Sequence, residues 1–147
     1  MSKLPRLIAG FLACVSFVSC QSQEEIKRER YITEGILVYK ANCANCHQTK
    51  GEGLAALYPP IANSDYLVNK NKVICLIRYG QQGRIIVNGN QYNRPMPAHP
   101  QLSDLEVAEV VTYIYNQWGN EKKVTDVKMV APVLEQCRTE LNGPVTN

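Results

Sequence analysis

The sequence predicts an all-α domain with a C-terminal helical extension, and three observations predict it. Apolar residues repeat at helical spacing in two stretches, Val73-Ile74-Leu76-Ile77 and the run from Leu105 to Trp118. Each stretch is followed by a glycine stop, Gly80 and Gly119. Only residues 81–93 read as extended chain. The length of 147 residues supports one domain of ordinary size. A hydrophobic fraction of 45% with two Phe and one Trp fits a small packed core and excludes disorder as the general state. The 16 Lys and Arg are scattered among 13 Asp and Glu, net +3, with no nucleic-acid stripe or polybasic patch. No apolar run approaches the roughly 20 residues of a spanning helix, so a multi-pass membrane protein is excluded. Six cysteines stand out against this background, and their placement organises the rest.

In chain order, Lys3 and Arg6 precede the apolar run 7–18, and polar sequence starts at Gln21. This is the pattern of a secretory signal, too short to span a membrane. Phe17-Val18-Ser19-Cys20 resembles the lipobox of bacterial lipoproteins, with Phe17 where Leu is usual; Phe11-Leu12-Ala13-Cys14 is a rival with a shorter apolar run. The resemblance implies removal of residues 1–19 as a signal peptide and acylation of Cys20. The protein is then anchored by lipid on the periplasmic side of a bacterial membrane. Loss of Lys3 and Arg6 leaves 14 basic against 13 acidic residues, close to neutrality. Residues 20–28 read as a tether, 29–119 as the working domain and 120–147 as the extension. The first helix is expected from about Glu25 to Cys46.

Cys43-Ala44-Asn45-Cys46-His47 is C-x-x-C-H, the attachment signature of c-type haem. On a helical turn, positions i, i+3 and i+4 share one face. Two thiols there can form thioethers with the porphyrin vinyl groups while the imidazole reaches the iron. A thioredoxin-like dithiol would need a βαβ context, and the surroundings read as helix. Zinc would need two further ligands, and Cys75, His99 and Cys137 are isolated singles. The haem reading is the one that uses all three residues. A sixth ligand for such an iron is Met or His. Met1 leaves with the signal and Met129 lies in the C-terminal segment. Met96 stands between Pro95 and Pro97, which bar regular helix and hold it on a stiff loop, and it is assigned as the axial ligand opposite His47. His99 is the rival.

The middle helix is expected over Asn69–Tyr79. Arg84-Ile85-Ile86-Val87 followed by Asn88-Gly89 reads as a small hairpin covering one haem edge. Ser103-Asp104-Leu105-Glu106 is a capping box that opens a helix running to about Trp118, nearly apolar all round. Ala131-Pro132 reads as the start of the extension's helix, with proline at its first position and Gly143 as its stop. Cys75 and Cys137 are the cysteines left over, and in an oxidising compartment they are expected to pair.

Over residues 31–119 the sequence resembles a class I cytochrome c. Gly35 and Tyr39 match the glycine and aromatic of the family's first helix, and Val110-Val111-Thr112-Tyr113 matches its last. The resemblance implies a cytochrome c-like fold of three to four helices around one haem. In it the first and last helices cross at Gly35, and Tyr39 and Tyr113 pack the crossing. Leu57-Tyr58-Pro59-Pro60-Ile61 resembles the family segment whose proline carbonyl accepts a hydrogen bond from the proximal imidazole. Pro59 matches that position better than its neighbour Pro60, because Ile61 then falls on an apolar position. Trp118 is read as core and not as an electron relay.

The function expected is one-electron transfer by a membrane-tethered monohaem cytochrome, monomeric when isolated and docking transiently with a redox donor and acceptor. It is not an enzyme, because His47 and Met96 fill both axial sites. One alternative is a permanently bound cytochrome subunit of an oxidase, reductase or dehydrogenase. Another is a haem enzyme or gas sensor in which Met96 dissociates.

Overall fold

The computed structural model describes residues 22–142. The readings on residues 1–19, Cys14, Cys20 and Gly143 lie outside them. Among the described residues are five α-helices, one 3-10 turn and one hairpin.

Helix α1, Gln23–Asn42, begins where the Ser22 hydroxyl accepts the Glu25 amide at 3.2 Å, and Glu24 and Glu25 face its positive end. The stretch expected to be a tether is therefore helical from Gln23 on. The helix does not run unbroken to Cys46. Cys43, at φ −117° and ψ −37°, separates α1 from the single turn α2, Ala44–His47.

A 3-10 turn at Asp65–Val68 leads to α3, Lys70–Tyr79, which is capped by the Asn69 side chain and stopped by Gly80. Strands β1, Ile85–Val87, and β2, Asn90–Tyr92, pair antiparallel with Ile85 opposite Tyr92. Asn88 and Gly89 have φ of 50° and 77°, the left-handed pair that a two-residue turn needs. The Asn88 side chain also ties the turn to the 3-10 segment, accepting the Asp65 amide at 2.9 Å and donating to the Asn63 carbonyl at 3.0 Å.

Helix α4, Asp104–Gln117, opens with the capping box: the Glu106 amide donates to Ser103 Oγ at 3.2 Å, and the Ser103 amide to the Glu106 carboxylate at 2.8 Å. Val107, Ala108, Val110 and Val111 are wholly buried, whereas Leu105, in the first turn, stays 44% exposed. Helix α5, Val127–Asn142, starts earlier than Pro132. Asp126 nucleates it: its side chain accepts the Lys128 amide and its carbonyl the Met129 amide, both at 2.9 Å. Pro132 sits inside the helix. The carbonyl it leaves unpaired belongs to Lys128, and both residues are exposed, so water can satisfy it.

The core forms where α1 and α4 cross. A Cβ on Gly35 would come within 2.2 Å of the Glu109 carbonyl oxygen and 2.8 Å of Tyr113 Cβ, so only glycine allows this approach. Tyr39, Tyr113 and Trp118 form a triangle beside it with every pair of ring centroids 5.4 Å apart. The Tyr39 hydroxyl donates to the Gln48 carbonyl at 2.8 Å, linking the crossing to the turn at 43–47. Helix α5 packs on α3 and α4 through Val130 and Leu134. Cys75 and Cys137 are joined as a disulfide, Cα to Cα 5.8 Å, across a separation of 62 residues.

Candidate functional site

The C-x-x-C-H turn takes shape because the amides of Cys46 and His47 both donate to the Cys43 carbonyl, at 3.2 and 3.0 Å. That places Cys43, Cys46 and His47 on the wall of one cleft. The loop that follows returns the chain to His47. The Gly53 amide donates to the His47 carbonyl at 2.9 Å, and the Ile61 and Ala62 amides donate to the Gly51 carbonyl. Gly53 has φ of 72°, and a Cβ there would stand 2.5 Å from the Tyr58 oxygen and 2.8 Å from the Pro59 oxygen.

This loop presents the Pro59 carbonyl, and not that of Pro60, 2.9 Å from His47 Nδ1. The ring donates Nδ1–H there, which leaves Nε2 as the free lone pair. Burial holds the His47 pKa below its ordinary value, opposed by the bond to Pro59, so the neutral, ligand-competent form is favoured. Burial pushes the Cys43 thiol up to about 12, with the nearby Cys46 adding to it. A thiol held protonated in this way is a poor redox nucleophile, and Cys43 and Cys46 are not bonded to each other. No cluster of three or more His, Cys, Asp or Glu suited to a metal ion occurs among the described residues.

The far side of the cleft is made by the Met loop and its supports. Met96 and Gln81 exchange two backbone hydrogen bonds, at 3.0 and 2.9 Å. The His99 amide donates to the Ile77 carbonyl at 3.1 Å. Both Met96 and His99 border the cleft, and the Gln101 side-chain amide lies 3.4 Å from His99 Nδ1. Leu76 and Ile77 of α3 and Ile85 and Val87 of the hairpin supply apolar wall, while Ile86 points outward, 61% exposed.

The cleft measures about 1070 Å³, its open mouth included. Its donor set is two thiols, an imidazole and a thioether around apolar walls. That set fits a flat, apolar macrocycle attached at two points and ligated through its metal. One residue of this site carries no signal in the sequence alone. Arg94 brings the one charged Lys, Arg, Asp or Glu side chain on the cleft wall among the described residues. Its guanidinium lies 5.6 Å from the Tyr58 ring centroid, with Nη1 3.5 Å from the Tyr58 hydroxyl. Arg94 thus bridges the loop that holds Pro59 and the loop that holds Met96.

Residues 32–118 match the family model for cytochrome c. The chain belongs to the cytochrome c family. Cytochrome c-552 of Thermus thermophilus is 38% identical over 100 residues, covering 65% of this chain and 76% of the relative. The gluconate 2-dehydrogenase cytochrome c subunit of Pantoea cypripedii is 36% identical over 94 residues, which is 62% of this chain but 21% of that subunit. The cytochrome c subunit of a quinone-type alcohol dehydrogenase from Gluconacetobacter polyoxogenes is 31% identical over 90 residues, 19% of its length. This cytochrome carries covalently attached haem c with its iron, and its family serves electron transfer. Its mostly helical architecture is that of the family.

Proposed function

We propose that this cytochrome is a monohaem one-electron carrier. Its iron is held by His47 and Met96 and its haem is attached through Cys43 and Cys46. The observation that carries the reading is the convergence of these four residues on a single apolar cleft, with His47 fixed by Pro59. Neutral imidazole and thioether together favour the reduced iron and raise the potential. Haem held there by Cys43, Cys46, His47 and Met96 would supply one-electron chemistry, exchanged during brief docking with a donor and then an acceptor. Acylation of Cys20 would confine this exchange to the periplasmic surface of a membrane.

A visible spectrum with a redox titration tests the ligation. The Met–iron charge-transfer band should vanish in Met96→Ala and persist in His99→Ala; the reverse pattern overturns the assignment. Rapid stoichiometric binding of carbon monoxide to the reduced protein would instead favour the gas-sensor or enzyme alternative. Membrane release on Cys20→Ser tests the anchor. The likeness to dehydrogenase cytochrome subunits favours a second reading, a subunit held permanently in a larger complex. Size analysis of gently solubilised native membranes separates the two, since a free carrier runs at its own mass.

A further inference from the structure

Helix α5 lies beyond the residues matched to the family, 32–118, and the cleft takes no wall residue from it. Two of its anchors, one covalent and one polar, converge on one place, the second half of α3. The first is the Cys75–Cys137 disulfide. The second is the Tyr79 hydroxyl, which donates to the Leu134 carbonyl at 3.0 Å. The same stretch of α3 is the support of the Met loop. Ile77 accepts the His99 amide, and Gln81 forms the two-way backbone pair with Met96. Gly80 between them, at φ of 76°, approaches so closely that a Cβ would stand 2.5 Å from the Met96 oxygen and 2.8 Å from the Ala98 nitrogen.

From these contacts we infer that α5 is a buttress for the Met96 loop. Cys137, Cys75 and Tyr79 are positioning residues that hold the end of α3, and through it the Met96 thioether, at the haem cleft. The inference rests on the reading of Met96 as iron ligand. A neutral thioether holds ferric iron weakly, so its retention depends on how rarely the loop opens. Loop opening is a local equilibrium, and an added ligand binds in proportion to the open fraction. Removing the restraint on α3 raises that fraction without touching the cleft.

The test uses the full-length, haem-loaded ferric protein and imidazole as the competing ligand. Tyr79→Phe keeps the ring and removes one hydrogen bond, and should tighten imidazole binding by about fivefold. Cys75→Ala with Cys137→Ala should tighten it further and weaken the Met–iron band. Ser22→Ala weakens the cap of α1, away from this chain of contacts, and should leave imidazole affinity unchanged well below the melting range. Equal tightening in Ser22→Ala, or unchanged affinity in both Tyr79→Phe and the cysteine pair, overturns the buttress. In the second case a band that still vanishes in Met96→Ala leaves the ligation standing. Absence of any Met–iron band in the native protein overturns both.

Discussion

At Gly53 a missing methyl group decides where the Pro59 carbonyl sits. A side chain there would collide with the Tyr58–Pro59 peptide from a left-handed backbone position that disfavours one in any case. Gly53→Ala should therefore displace the acceptor of the His47 bond and cost about 1–3 kcal/mol. Denaturant unfolding of the haem-loaded protein measures the loss, and the chemical shift of the His47 ring N–H reports the displaced carbonyl directly. Glu109 offers a second residue-scale test. It is buried against the α1–α4 crossing, and burial first, then the nearby Glu34 and Glu106, raises its pKa. A carboxyl whose pKa is raised by folding binds its proton more tightly in the folded state. Its contribution is complete below the unfolded value and is lost as pH rises through the folded one. Glu109→Gln should accordingly stabilise the protein at about pH 8 and much less at about pH 4, as read from melting temperatures at the two values.

Among the elements, helix α4 was legible in detail and helix α5 was not. The capping box at Ser103 is a local pattern, complete within four residues, and the structure realises both of its hydrogen bonds. Ser103→Ala should destabilise by about 1 kcal/mol in chemical unfolding. The start of α5 rests on Asp126, whose cap is followed by no glutamate at the third position, so proline at 132 was the stronger sequence signal and misplaced the boundary. Similarly, the break after Asn42 follows from the geometry of Cys43 in the site turn and leaves no mark in helical periodicity. The structure brings Cys43, Cys46, His47 and Met96 to one cleft; the first three lie within five residues of sequence, and Met96 stands out there by its flanking prolines. The role of Gly80 beyond a helix stop, and the reach of Arg94 to Tyr58, depend on contacts across the fold and were invisible in the chain.

For the molecule as a whole, the Cys75–Cys137 bond is the largest single constraint outside the haem. Closing a loop of 62 residues lowers the entropy of the unfolded chain by roughly 4 kcal/mol at room temperature. Paired alanine substitution should lower stability by about that amount in denaturant titration, and a much smaller change would mean the unfolded chain is already restricted by its haem. The exposed ion pair Lys27–Asp126, which also ties α5's cap to α1, should contribute little, because solvent screens it.

The Gly35 crossing has a consequence for the order in which the molecule assembles. Its partners sit near opposite ends of the folded domain, α1 at 23–42 and α4 at 104–117. The principal interhelical contact is thus among the most distant in the chain, and its closure entropy has to be met before any of its packing is gained. Among the described residues α1 packs on no other helix to a comparable extent, so its burial in the core waits on α4.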